Sequence, residues 1–460
     1  LRFQAVDYKA DVWVNDNHVG EHEGGESPFV LDVTDAIKPN QSNRVAVRVL
    51  NPTREPIDGV LLRETAHGCK YYPLKPGGVY NVGGIVDSVE LIISPIITVY
   101  DLFVRPDPKT GMIRVDTTLW NASEASTPVL IQLEAAAATG GPTLDAVLLR
   151  GQAVAGETLI QGQLNVPNPR LWDLNDPHLY RITACVWAEG SESFHNQSVR
   201  CGFRDFRFEN GYFRLNGRRI LPRGPVALTL YPVGFSVPLD EYYLRHKILA
   251  MKAMGMNFCR LIFGGTAARQ LDMFDELGVM VYQASYAEGG IGYDGVDFDP
   301  DFPKMREVFD QGVTQIVRRD RNHPSVVCWG LTNERKNDAN FRHAVEKTLP
   351  MLRQLDDSRM VFLNSGRFDE NWNIGSLCNP SSLRWESSLR DEHFYPNVPH
   401  VATTIHALRT MGTKDAPVLL SEYGTGNAID LPRYARYFEQ LGAEPSEDAQ
   451  FYRGNLDQFM

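Results

Sequence analysis

At 460 residues, with 43% apolar and 22% charged positions, the chain has the composition of a folded globular protein and the length of roughly three domains of ~150 residues. Its formal charge of −11 opposes a broad phosphate-binding or lipid-binding surface, so neither nucleic acid nor a membrane is an expected partner. No apolar run approaches the ~20 residues that span a bilayer.

The first 95 residues read as β structure. Asp11-Val-Trp-Val-Asn15, Pro28-Phe-Val-Leu-Asp32 and Arg44-Val-Ala-Val-Arg-Val-Leu50 alternate apolar and polar positions between Gly, Asn, Asp and Pro turns. The chain opens on such a strand, with no initiator Met or leader, and closes on a helix-like run. It is therefore expected to be a segment of a longer protein, which leaves its localisation open. Residues 96–202 repeat short strands at intervals of ~8–12 residues, as in Ile113–Trp120, Val129–Glu134 and Tyr180–Trp187, the pattern of an immunoglobulin-like sandwich.

From 203 to 460 strands alternate with helices. The spacing predicts strands at Ile220–Arg223, Asn257–Ile262, Val279–Gln283, Val326–Leu331, Met360–Asn364, His393–Tyr395 and Val418–Ser421. Helices are expected between them, among them Asp240–Met254, Thr266–Leu277, Phe302–Arg319 and Asn340–Leu355. This is the order of a (β/α)8 TIM barrel whose last strand would follow Met460; the competing doubly wound sheet lacks a Gly-rich phosphate loop.

Barrel chemistry lies at the C-terminal strand ends, and two glutamates stand there. Glu334 ends Val326-Val-Cys-Trp-Gly-Leu-Thr-Asn333-Glu334 on the fourth strand, and Glu422 ends Pro417-Val-Leu-Leu-Ser-Glu422 on the seventh. Facing carboxyl groups suit glycosidic hydrolysis, in which one protonates the leaving oxygen and the other attacks or stabilises an oxocarbenium-like centre. Asn333 would offer its amide to a sugar hydroxyl. The alternative is a pair of structural ion-pairing carboxylates.

The run Asp320-Arg-Asn-His-Pro-Ser-Val-Val-Cys-Trp-Gly-Leu-Thr-Asn333-Glu334 resembles the acid/base motif of glycoside hydrolase family 2, which includes β-galactosidases, β-glucuronidases and β-mannosidases. Ser421-Glu422-Tyr423-Gly424 is similar to its nucleophile motif, and Asn257-Phe-Cys-Arg260 with Phe274-Asp-Glu-Leu-Gly278 to its second and third barrel units. Trp172, Pro177-His-Leu-Tyr180 and Gly202-Phe-Arg-Asp205 resemble the sandwich and its junction with the barrel. Val14-Asn15, Glu23-Gly24-Gly25, Pro28-Phe29 and Gly83-Gly84-Ile85 resemble the N-terminal jelly-roll domain. The likeness covers essentially the whole chain.

The resemblance implies a retaining, exo-acting β-glycosidase with Glu422 as nucleophile, Glu334 as acid/base and carboxyl groups about 5–5.5 Å apart. It further implies that Arg260 pairs with Glu422 and that Tyr395 hydrogen-bonds it, with His393 as a substrate contact. A surface ion pair, a packing aromatic and a structural histidine are the alternatives for Arg260, Tyr395 and His393. Tyr286, Trp372, Trp385 and Phe394 are the candidate sugar-stacking rings. The substrate is a carbohydrate, no cofactor or catalytic metal is expected, and homo-oligomerisation is left open.

Several positions depart from the family pattern. Phe263-Gly264-Gly265 replaces a His-Tyr-Pro run, Gly78 stands where a sugar-binding Asp is usual, and the Ala227–Tyr231 loop is apolar. Glu288 lacks the companion His of a metal site. These losses motivate a second reading, a catalytically retired member that binds glycans. Six scattered cysteines form no zinc pattern, although Cys185 and Cys201 could bridge neighbouring strands; Asn40, Asn121 and Asn196 match the N-glycosylation pattern.

Overall fold

The computed structural model describes residues 1–25, 27–53, 55–61, 83–228, 240–262, 266–284, 303–335, 339–366, 376–386, 389–396, 400–413 and 417–424. In the N-terminal unit Lys9–Val14 pairs antiparallel with both Asn17–Glu23 and Val45–Leu50. Its alternating burial sends Ala10 and Val12 into a small core with Phe3 and Phe29, and Val14 into a neighbouring cluster with Val33 and Ala36. Gly84–Ile85 closes onto Val6–Asp7, and Val89–Glu90 onto Arg2–Phe3.

The second unit is a sandwich of two antiparallel sheets. One contains Ile97–Pro106, Met112–Asn121 and Gly156–Asn165; the other contains Thr127–Ala137, Thr143–Ala153, Tyr180–Ala188 and Phe194–Cys201. Their inner faces bury Val99, Val115, Leu119, Ile131, Leu133, Ile182 and Val186. Cys185 lies opposite Asn196 and Cys201 opposite Tyr180, so the strand pairing keeps the two thiols apart and both are free. Asn121 is buried, with its amide donating to the carbonyls of Ala125 and Ala153, which withdraws it from the glycosylation pattern it matches.

A three-stranded meander, Phe206–Glu209, Tyr212–Leu215 and Arg218–Ile220, leads into the third unit. Both of its turns are Asn-Gly pairs with positive φ, at Asn210-Gly211 and Asn216-Gly217, the backbone that two-residue hairpins require. This corrects the expected first barrel strand. Ile220 belongs to the meander, and the parallel neighbour of the second strand is Val226–Leu228.

From there Val226–Leu228, Phe258–Ile262, Met280–Gln283, Val326–Asn333 and Met360–Ser365 run parallel in sequence order, with helices Glu241–Ala253, Ala268–Leu277 and Pro303–Asp320 between them. The second to fifth strands are buried at every position, the burial of strands covered on both faces. The helix expected at Asn340–Leu355 is three segments, Ala339–His343, a π turn at Ala344–Thr348, and Leu349–Leu355. Leu377–Cys378 and Trp385–Glu386 then add antiparallel strands beside the N-terminal half of Met360–Ser365. The sixth and seventh strands, Arg390–Phe394 and Val418–Tyr423, pair parallel with each other.

The sandwich is bolted to the barrel at the start of the fourth strand. Trp172 is fully buried and donates through its indole N–H to the Asp275 carbonyl at 2.9 Å. Asn322 accepts from the Val104 amide and donates to the Leu102 carbonyl, Arg321 pairs with Asp101, and His323 lies 2.6 Å from Asp275. Most of the Asp320–Pro324 run thus serves the domain junction, and only its continuation reaches the barrel mouth.

Candidate active site

Two backbone irregularities aim the site. Neighbouring side chains on a strand point to opposite faces, yet Asn333 and Glu334 both reach site partners. The left-handed backbone at Glu334, φ 50°, breaks the alternation. It is held there by its own N–H on the Ser365 carbonyl at 2.8 Å and by Asn364, which takes the Arg335 N–H and returns its amide to the Arg335 carbonyl. Between the sixth and seventh strands a bulge shifts the register, so that Glu392 faces Leu420 but His393 faces Glu422. Ser421 and Glu422 can then both turn inward.

Arg260, 2% exposed, binds both strand ends at once. One guanidinium nitrogen donates to Glu422 Oε1 and another to Asn333 Oδ1, each at 2.5 Å, with the group 5.2 Å above the Tyr282 ring. Tyr395 donates its phenol proton to the second Glu422 oxygen. Burial and the Glu422 carboxylate both push the Tyr395 phenol upward, so it stays protonated and a donor. His393 stands between the carboxylates, with Nδ1 2.5 Å from Glu334 Oε1 and Nε2 3.4 Å from Glu422 Oε1. A Glu334 oxygen, a Glu422 oxygen and an imidazole nitrogen all lie within 4.8 Å of one another.

Glu334, Glu422, Asn333, Arg260, His393 and Tyr395 therefore meet. Trp385 does not join them. Its strand register sets it opposite Cys378, which pairs with Val361 near the N-terminal end of the fifth strand, and its ring packs on the barrel core. Expected as a ring near the barrel mouth, it stands instead on a short strand beside the start of the fifth strand. Phe394 packs near Tyr423, with ring centres 6.4 Å apart. Gly78, Phe263, Gly264, Gly265, Tyr286, Glu288, Trp372 and the Ala227–Tyr231 loop beyond Leu228 lie outside the described residues.

Sequence reasoning misses Ser365, Gly366, Asp391 and Ser421, which line the site from behind His393. No spacing rule flags a hydroxyl or a buried Asp; the nearest signal was that Ser421 adjoins Glu422.

Two groups among the described residues converge closely enough to bind a cation: Asp272, Asp275 and His323 at the domain junction, and Glu334, His393 and Glu422 at the mouth. Asp275 already accepts from the Ser325 amide and lies on His323, while Asp272 pairs with Arg200. The Arg260 cation beside Glu422 opposes a metal in the second group.

Comparison with known proteins gives three consecutive family matches: the sugar binding domain of glycosyl hydrolases family 2 over residues 1–95, the family 2 domain over 97–204, and the family 2 TIM barrel domain over 206–444. A β-glucuronidase of Bacteroides fragilis is 25% identical over 444 residues, covering 93% of this chain and 60% of that protein. A β-galactosidase of Enterobacter cloacae is 26% identical over 465 residues, covering 99% of this chain and 42% of that protein. A Bacteroides uniformis β-glucuronidase, solved covalently bound to a cyclophellitol-6-carboxylate aziridine, superposes with a TM-score of 0.71 at 20% identity, over 96% of this chain and 54% of that one. The chain thus spans less than two thirds of the length of each of these proteins. Jelly-roll, immunoglobulin-like sandwich and TIM barrel follow one another as in those matches, and the chain belongs to glycosyl hydrolase family 2.

Proposed function

We propose that this chain, in three domains of residues 1–95, 96–202 and 203–460, carries the machinery of a retaining, exo-acting β-glycosidase. It would remove terminal sugars from oligo- or polysaccharides, as the β-glucuronidase and β-galactosidase relatives suggest. The observation that carries the reading is the approach of Glu334 and Glu422, with carboxylate oxygens within 4.8 Å. Retaining enzymes hold their carboxyl groups about 5–5.5 Å apart, whereas inverting ones leave about 6.5–9.5 Å for a water.

In the first step a Glu422 oxygen attacks the anomeric carbon, the glycosidic C–O bond breaks, and Glu334 gives its proton to the leaving oxygen. In the second step Glu334 takes a proton from water, the water oxygen attacks the same carbon, and Glu422 leaves. Arg260 and Tyr395 supply hydrogen bonds that orient Glu422. Asn333, oriented by Arg260, is assigned to a sugar hydroxyl. Acid–base and nucleophilic groups suffice for this chemistry, so no metal or cofactor is invoked. No observation among the described residues favours a retired, glycan-binding member.

Mutation separates the two roles. Glu422→Ala should lower turnover of aryl β-glycosides by more than ~10³-fold while the protein still folds, with a lower melt because Arg260 loses its partner. Glu334→Ala should cost ~10²–10⁴-fold on poor leaving groups and far less on a dinitrophenyl glycoside, which departs without a proton. Unaltered turnover in Glu422→Ala would reject the assignment, and a panel of aryl galactosides, glucuronides, mannosides and glucosides would name the sugar.

A further inference from the structure

The fourth strand hands over from backbone pairing to a side chain at its tip. It pairs with the fifth as far as Thr332 opposite Asn364 and Asn333 opposite Ser365. Beyond the left-handed turn at Glu334, Arg335 meets the Asn364 side chain instead of another strand residue. Asn364 Oδ1 accepts from the Arg335 N–H at 3.1 Å, and Nδ2 donates to the Arg335 carbonyl at 2.8 Å. With a donor on one end of the amide and an acceptor on the other, only one orientation of the group fits. Thr332 Oγ1 lies 3.0 Å from the same Oδ1. Asn364 and Thr332 are each 1% exposed and Arg335 is 7% exposed, so water is poorly placed to replace the clasp.

The clasp acts on one residue's geometry. The peptide before Glu334 is fixed by the Glu334 N–H on the Ser365 carbonyl, and the peptide after it by the Arg335 N–H on Asn364. Fixing both peptides fixes the φ and ψ between them. A non-glycine residue keeps a left-handed backbone only where its surroundings impose it. An extended Glu334 would continue the strand's alternation and send its carboxyl to the face opposite Asn333. Glu422 is oriented differently, by Arg260 and Tyr395, while Asn333 keeps its backbone pairing with Ser365 and its bond to Arg260. None of these contacts includes Asn364.

We propose that Asn364 is a positioning residue for the acid/base group alone: its clasp on Arg335 sets the turn that aims Glu334, and attack by Glu422 does not depend on it. The proposal rests on the reading of Glu334 as the acid/base and of Glu422 as the nucleophile. Proton transfer to the leaving oxygen needs Glu334 within hydrogen-bond reach of it. Without the clasp the turn relaxes toward extended backbone and the carboxyl loses that reach. A phenolate of ordinary basicity then departs slowly, because no proton arrives as its C–O bond breaks. A dinitrophenolate departs without one, so the Glu422–sugar bond still forms. In the second step the misplaced Glu334 fails again, as the base that takes a proton from the attacking water.

The test compares leaving groups in the full-length enzyme. Asn364→Leu removes both bonds at similar volume. Asn364→Asp keeps the size and an acceptor but sets a carboxylate oxygen against the Arg335 carbonyl, and it carries the test should the leucine variant not fold. Each should lower kcat/KM on a phenyl β-glycoside by ~10²-fold and leave it within about threefold on the dinitrophenyl β-glycoside of the same sugar. Galacto and glucurono configurations are the ones to try. A dinitrophenyl fluorosugar glycoside, which labels the nucleophile without a proton from the acid, should modify Glu422 at the wild-type rate and so report an intact site. Losses equal on the two leaving groups, or an unchanged rate on the phenyl glycoside, would overturn the proposal. A wild type that is neither labelled nor active on either glycoside would instead reject the glycosidase reading beneath it.

Discussion

Gly366 shows how narrowly the site is built. Its φ of 73° suits glycine, and a Cβ there would come within 2.6 Å of three atoms of the His393 ring. The ring cannot yield without leaving Glu334 or Ser365. Gly366→Ala should therefore lower kcat at least about tenfold and cost ~1–3 kcal/mol of stability, read from steady-state kinetics and a melt. A variant with wild-type kcat would show that His393 has room the geometry denies it. Glu334, Asn333, Glu422 and Arg260 were legible in the sequence because each is a polar residue at or near the end of an apolar strand. Asp391, Ser365 and Ser421 were not, since their roles depend on a bulge and on strand neighbours far apart in the chain.

At the scale of elements, the errors share one cause. Strand-forming residues were recognised, but their partners were not. Arg218–Ile220 pairs backward through an Asn-Gly turn instead of opening the barrel, and Trp385 is taken up by an antiparallel strand. The π turn that divides the fourth-to-fifth connection likewise leaves no mark in hydrophobic spacing.

The N-terminal strand Asn17–Glu23 gives a prediction of its own. His22 is 6% exposed, stacks 4.3 Å from Phe29 and lies 3.2 Å from Ser27 Oγ, and burial lowers its pKa to about 4. The unfolded chain takes up this proton near pH 6.5, so between about 6.5 and 4 the unfolded state binds more protons. Stability is full above that window and falls on acidification, by about 3 kcal/mol at pH 4. His22→Gln should flatten this part of the acid dependence of the first melting transition. Identical acid profiles in the two proteins would contradict it.

Over the whole molecule, the sandwich anchors the beginning of the fourth barrel strand whose far end carries Glu334. Arg204 donates to the carbonyls of Pro324 and Val326, Asn322 completes the edge of the sandwich strand Ile97–Pro106, and Arg269 ties the barrel to Asp87 of the N-terminal unit at 2.6 Å. The order of three units was legible because hydrophobic spacing changes from strand alternation to strand–helix repeats near residue 203. The junctions were not, because the polar residues that make them have no periodicity. Among the described residues no helix is long and apolar enough to cross a membrane.

The central claim is that Glu422 attacks the sugar. Incubation with cyclophellitol-type aziridines of galacto and glucurono configuration, followed by peptide mapping, tests it most directly. The account predicts a single covalent adduct on Glu422, lost in Glu422→Ala. An adduct on another residue, or none in an enzyme that still turns over aryl β-glycosides, would contradict it.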